Sequence, residues 1–93
     1  MRKKMMRIQC QLPSSWQFKG APSTVEIDVE NGGNVHSALE IVARMLDSSL
    51  YGSIFDPQGN LVTMVARNGE LVNEKAELME GDHIRIVKSV AGG

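Results

Sequence analysis

The stretch VEIDVENGGNVHSALEIVARML, residues 25–46, changes its hydrophobic period halfway along. Val25, Ile27 and Val29 alternate with Glu26, Asp28 and Glu30, the period of two that turns one face of a strand toward a core. Asn31-Gly32-Gly33-Asn34 interrupts the alternation. From Val35 the apolar residues recur at i, i+4, i+7 and i+11, as Val35, Leu39, Val42 and Leu46, which is one stripe of an amphipathic helix. Ala38, Ala43 and Met45 widen the stripe, while Glu40, Arg44 and Asp47 fall on the solvent side. Asn34 is placed as the helix N-cap, its side-chain oxygen able to accept from a free N–H of the first turn. A strand handing over to a single helix is half of a two-layer α+β domain.

The other half lies on either side. Upstream, Met6, Ile8, Cys10 and Leu12 alternate with Arg7, Gln9 and Gln11, a strand that Pro13-Ser14-Ser15 ends. Trp16 and Phe18 read as core or loop anchors, and Lys19-Gly20-Ala21-Pro22 as a turn, so the two strands form an N-terminal hairpin. Downstream, Ser48-Ser49 and Tyr51-Gly52 close the helix, and Phe55-Asp56-Pro57-Gln58-Gly59-Asn60 has turn chemistry. Leu61 to Arg67 reads as a strand. Asn68-Gly69, between Val65-Ala66-Arg67 and Glu70-Leu71-Val72, is the strongest short hairpin signal in the chain. After the Leu78-Met79-Glu80-Gly81-Asp82 connector, Ile84 and Ile86 alternate with Arg85 and Val87 in a last strand. The order is strand, strand, helix, strand, short strand, strand: one main helix packed across a mixed four- to five-stranded sheet. Residues 1–88 form the domain and residues 89–93 a flexible Gly-Gly tail.

Ninety-three residues make one domain with a modest core, and no stretch approaches the roughly 18 apolar residues of a membrane span. The basic N-terminus lacks the apolar region of a signal peptide, and a single cysteine, Cys10, suits a cytoplasmic protein better than a small secreted one. Met1, Met5 and Met6 all remain open as the start. The net charge of −1 conceals an asymmetry: Arg2, Lys3, Lys4 and Arg7 are four of ten basic residues, leaving six against eleven acidic ones from Ile8 onward. Such a body repels nucleic acid and suits a partner with a basic docking face. The same charge also serves plain solubility.

Few residues offer chemistry. Cys10 lies on the apolar side of a strand, as a buried structural cysteine does. His36 and His83 are far apart and have no ligand-spaced neighbours. Ser14-Ser15 has no base in view. Glu70, Glu74, Glu77, Glu80 and Asp82 read as a solvated face. The end of the chain is different. Five residues at ~3.3 Å each project a carboxylate roughly 16 Å beyond the last strand. Gly92 and Gly93, without Cβ atoms, can thread a channel closed to bulkier residues. The Gly93 carboxylate is ionised at neutral pH and is a poor electrophile until another protein activates it.

The segments Val65-Ala66-Arg67-Asn68-Gly69-Glu70-Leu71-Val72-Asn73, Leu78 to Val87 and Val90-Ala91-Gly92-Gly93 together resemble the ThiS/MoaD family of β-grasp (ubiquitin-like) sulfur carriers. The likeness covers the last third well, the helix start Asn34-Val35 loosely, and the rest weakly. It implies a carrier rather than an enzyme. An E1-like adenylating enzyme of the ThiF/MoeB type, using ATP and magnesium, would adenylate Gly93. Sulfur would then replace the adenylate to give a thiocarboxylate. A thiazole synthase or the large subunit of a molybdopterin synthase would accept that sulfur, with Val90, Ala91 and Gly92 positioning the tail. No cofactor or metal is bound intrinsically, no nucleic acid or membrane is involved, and the free protein is a monomer. Lys88-Ser89, in place of the Pro-Pro pair of the molybdopterin branch, resembles the thiazole-forming branch. The length and the Phe55–Gly59 turn resemble the longer molybdopterin and CysO-type carriers. The pathway, thiamine or molybdopterin/tungstopterin or cysteine, therefore stays open. Two other roles remain: a ubiquitin-like modifier joined to target lysines, and a non-covalent β-grasp interaction module.

Overall fold

The computed structural model describes residues 4–46 and 48–87. Strand β1 (Met5–Gln11) buries Met6, Ile8 and Cys10 and turns Arg7 and Gln11 to solvent. It stops before Pro13, and a 3₁₀ turn, Ser14–Lys19, follows, in which Trp16 is buried. The Phe18 side chain lies outside the described part of the molecule. Gly20 (φ 80°) ends the turn, its N–H donating to the Gln17 carbonyl. Strand β2 (Thr24–Glu30) then returns antiparallel to β1, with Ile8 opposite Ile27 and Cys10 opposite Val25.

Helix α1 (Val35–Met45) begins where the sequence places it, and Asn34 Oδ1 accepts from both Ser37 N and Ser37 Oγ at 2.9 Å. Other early amides of the helix find partners outside it. Val35 N donates to Ala76 O at 3.0 Å and His36 N to Glu74 O at 2.9 Å. The connector from Asn73 to Leu78 thus holds the helix start by its backbone. Just before the cap the chain turns tightly back against the end of β2, and Gly33 permits it, since a Cβ there would stand 2.6 Å from Val29 Cγ1 and 2.9 Å from Glu30 O. Asn34→Ala removes one of these partners and leaves the connector bonds, so it should destabilise the domain by about 1 kcal/mol. Urea unfolding should show a lower midpoint, largely restored in Asn34→Ser; an unchanged midpoint in Asn34→Ala would show that the cap contributes nothing.

Val35, Ala38, Leu39, Val42 and Ala43 are buried as the stripe requires. Met45 is the exception, at 54% exposed. At about 100° per residue it stands near a right angle to the stripe's axis, on the helix flank rather than its underside. Asp47, expected on the solvent side, lies outside the described residues.

The segment expected only to close the helix does more. Ser48–Leu50 forms a 3₁₀ turn and Tyr51–Ile54 a short helix, α2, burying Leu50, Ile54 and the adjoining Phe55. Leu61 belongs to an isolated bridge with Phe55, not to the next strand, because the intervening turn pulls the chain back on itself. Asp56 Oδ1 fastens that turn, accepting from Gln58 N and Asn60 N at 2.9 Å each. Strand β3 (Met64–Arg67) is consequently shorter than the sequence suggests.

Asn68 (φ 50°) and Gly69 (φ 92°) both take left-handed angles, the hairpin geometry expected of Asn-Gly, and lead into β4 (Glu70–Val72). Strand β5 (His83–Val87) lies in the middle. The sheet order is β2-β1-β5-β3-β4, with β5 parallel to β1 and antiparallel to β3. One main helix across this five-stranded mixed sheet is the β-grasp arrangement. Its inner face joins Ile8, Cys10, Ile27, Val65, Ile84 and Ile86 to the underside of α1 in a single core.

Candidate functional site

The four residues singled out from sequence, Val90, Ala91, Gly92 and Gly93, lie outside the described residues, as does the boundary at residues 88–89. What is described is the place from which they depart. β5 is the central strand, so residues 88–93 follow from the middle of the sheet rather than from an edge. Val87 stands opposite Met64 of β3, and its carbonyl accepts from Thr63 Oγ1 at 3.0 Å. Two open clefts flank Val87. One, of about 740 Å³, runs along the sheet face away from α1 and is lined by Gln9, Ala66, Leu71, Arg85 and Val87. The other, of about 570 Å³, lies toward Pro13, Ser14 and Ser23. Gln11, Arg85 and Val87 border both.

This outer face carries apolar side chains the sequence reading did not single out. Val65 and Val72 face each other across the β3–β4 hairpin on the inner side, which leaves Met64, Ala66 and Leu71 on the outer one. Leu71 is 61% exposed and Met64 46%. The alternation within the Asn-Gly hairpin was the signal that would have found them. Contiguous exposed apolar residues commonly mark a protein contact. Arg85 is exposed among them, and its guanidinium has no hydrogen bond or ion pair among the described residues.

The acidic residues of the β4–β5 connector are more than a solvated face. Asp82 accepts from Met79 N at 2.8 Å and from Asn68 Nδ2 at 3.1 Å, while Asn68 Oδ1 accepts from His83 N at 3.0 Å. These bonds tie the hairpin turn to the start of β5 and so fix the strand's register. Glu80 Oε2 accepts from Arg7 N at 3.1 Å. On the outer side of β1 and β2, Arg7 Nε donates to Asp28 at 2.8 Å and Nη1 lies 3.7 Å from Glu26. Asp28 first, then Glu26, raise the Arg7 guanidinium above its usual pKa.

Cys10 is wholly buried, and desolvation pushes its thiol up to about 12, so its nucleophilic thiolate is scarce at neutral pH. His36 is a structural clasp. One ring nitrogen lies 2.9 Å from Glu40 Oε1 and the other 3.1 Å from Gly59 O, and the Phe55 ring packs against it tilted by 58°, centroids 5.1 Å apart. His83 is exposed on the outer face. Among the described residues no group of three or more His, Cys, Asp or Glu side chains is arranged to hold a metal ion. No helix there is long and apolar enough to cross a membrane.

The ThiS family model matches residues 15–93. No curated protein matches the chain by sequence. Among solved structures, SAMP1 from Haloferax volcanii is similar at 26% identity and a TM-score of 0.80, over 94% of this chain and 99% of that one. CysO in the Amycolatopsis orientalis BexX/CysO complex is similar in fold at 22% identity and a TM-score of 0.70, over 92% and 99%. So is one chain of the complex of subunits 1 and 2 of the molybdopterin-converting factor from Helicobacter pylori, at 18% identity and a TM-score of 0.58, over 95% of this chain and 100% of that one.

Proposed function

The chain belongs to the ThiS family, and from that premise we propose that it is a sulfur carrier whose working group is the carboxylate of Gly93. The observation that carries this reading is the reach of the family match, which runs through the Gly-Gly pair to residue 93. A carboxylate oxygen of Gly93 attacks the α-phosphorus of ATP in an E1-like partner, with magnesium, and pyrophosphate leaves. The acyl adenylate, unlike the free carboxylate, is a competent electrophile. Hydrosulfide attacks its carbonyl carbon and AMP leaves, giving a thiocarboxylate; that sulfur is then transferred in cofactor biosynthesis, to thiamine thiazole or a molybdopterin-type product, and water returns Gly93 to the carboxylate. The chain itself is substrate and carrier. Gly92 lets the tail pass, and Val90 and Ala91 orient it.

The geometry around Val87 supports this division of labour. Val87, the last described residue, ends the central strand opposite exposed Met64 and in one cleft with Leu71, so a partner covering that apolar face meets the chain where the tail begins. The Amycolatopsis and Helicobacter structures are each complexes with a second protein, which supports protein partners of the synthase type for this chain. A second reading draws on the likeness to the small archaeal modifier protein SAMP1. There a lysine ε-amine rather than sulfur attacks the same adenylate, and the chain becomes a protein modifier.

One experiment separates the two. The purified chain is incubated with a candidate E1-like enzyme, ATP, magnesium and a sulfur source, and its intact mass is measured. Replacement of one terminal oxygen by sulfur is the expected result. Isopeptide adducts on lysines without any such replacement would favour the modifier. Neither product, with an enzyme proven active on another carrier, would leave only a non-covalent module.

A further inference from the structure

The sheet has a second interaction feature, at the edge furthest from the β3–β4 hairpin. β2 is an edge strand, paired only with β1. Its cross-strand bonds include Leu12 N to Ser23 O at 2.9 Å and Asn31 N to Lys4 O at 2.8 Å. Both fall on odd-numbered residues of the β2 line, and antiparallel bonding alternates. Val25, Ile27 and Val29 therefore turn their backbone groups toward β1, and Thr24, Glu26 and Asp28 turn theirs away. The carbonyl of Glu30, next in the outward series, is taken by Gly33 N at 2.8 Å, whereas those of Thr24, Glu26 and Asp28 have no partner among the described residues. A ladder of free donors and acceptors is left along the edge.

The two sides of that ladder differ chemically. On the inner side, a cleft of about 350 Å³ separates the end of β2 from α1, lined by Val29, Gly33, Ser37 and Ile41. Ile41 is half-buried, and Met45, one turn further along the same helix flank, is exposed. On the outer side stand the carboxylates of Glu26 and Asp28, each more than half exposed, sharing the single guanidinium of Arg7. Two carboxylates on one cation leave a net negative row.

We propose that the β2 edge binds an extended segment of a partner protein in which apolar and basic residues alternate. Such a segment adds a sixth strand to the sheet by backbone hydrogen bonding to Thr24, Glu26 and Asp28. Its side chains opposite Val25, Ile27 and Val29 fall over Ile41 and Met45 and are apolar. Those opposite Glu26 and Asp28 meet carboxylates and are lysine or arginine. A second copy of this chain is disfavoured there, because pairing β2 with β2 sets the acidic rows against each other. The edge lies two strands from β5, so a segment bound to it leaves the end of β5 and the Met64–Leu71 face accessible. The proposal is independent of the sulfur-carrier reading.

The test uses the full chain labelled with ¹⁵N and an amidated peptide alternating lysine and valine over the seven-residue length of β2. Chemical-shift changes should be confined to Thr24–Glu30 and the Ser37, Ile41 and Met45 flank, with slowed hydrogen exchange at Thr24, Glu26 and Asp28. A peptide alternating glutamate and valine should bind at least about tenfold more weakly. Glu26→Pro removes an outward N–H that β1 does not use, so the sheet tolerates it, and binding should fall by at least about tenfold. Ile41→Glu, on a half-buried flank, tests the inner side should the proline variant not fold. Equal binding of both peptides, undiminished binding in the folded variants, shifts centred on Leu71, no binding, or a dimer of the free chain through β2 would each overturn the proposal.

Discussion

Deleting Gly93 leaves a folded domain that can no longer be loaded with sulfur. The buried residues that make the core run from Met6 to Ile86, and the deletion touches none of them. Terminal residues beyond a packed domain tolerate truncation, so the thermal midpoint should move by no more than a few degrees. Loading should be lost outright rather than reduced. The carboxylate exposed by the deletion belongs to Gly92 and stops one residue, ~3.3 Å, short of the position the intact chain reaches, while near-attack geometry is sensitive to misplacement of about 1 Å. Intact mass spectrometry of the truncated chain, with the E1-like enzyme, ATP and a sulfur source, is the decisive measurement. A thiocarboxylate on the truncated chain would sink the assignment. A companion variant with one residue appended after Gly93 lengthens the chain and carries the acid group one residue, ~3.3 Å, too far, and it too should fail. If only a non-covalent module were at work, both variants would behave as the parent does.

The parts of this molecule that were legible in sequence are those governed by local chemistry. Residues 25–46 announced their strand and helix because burial on one face writes a period, and Asn34 announced the cap because few side chains satisfy a first-turn amide. Asn68-Gly69 announced a hairpin for the same kind of reason. What was not legible depends on partners distant in the chain. Leu61 reads as part of a strand by its neighbours, yet it bridges Phe55 because the Asp56-centred turn brings it there. Tyr51–Ile54 is too short to write a helical period. Asp82 has the composition of a surface acid and the position of a structural acceptor. The exposed apolar face was hidden differently. Leu71 and Met64 lie in apolar segments whose faces the sequence reading did not assign, and the register of β3 against β4 shows them facing out. The tail residues were read from their chemistry and the family likeness; the structure adds the central strand from which they follow.

Ile86→Ala should cost the domain ~2–5 kcal/mol. Ile86 is 2% exposed on the central strand, opposite Val65 and facing the underside of α1. The substitution deletes buried methyl groups where two neighbouring strands and the helix constrain collapse into the space. Leu39→Ala, from the helix side of the same core, should cost about as much. A small domain has roughly 5–15 kcal/mol in total, so either change lowers the thermal midpoint by on the order of 10–30 °C. Arg85→Ala is the internal control. It sits next to Ile86 on the same strand but points to solvent, and its effect should stay within about 0.5 kcal/mol. Urea unfolding of the three variants checks the contrast, with midpoints well below the parent for Ile86→Ala and Leu39→Ala and near it for Arg85→Ala. If Ile86→Ala unfolds with the parent, β5 does not present the face described. The functional consequence separates stability from chemistry. At a temperature where half of the Ile86→Ala protein is folded, thiocarboxylate yield should fall in proportion to the folded fraction, because the core supplies only a platform for Gly93. Complete loss of loading in the folded fraction would instead give Ile86 a direct part in docking, which its burial excludes in an intact sheet.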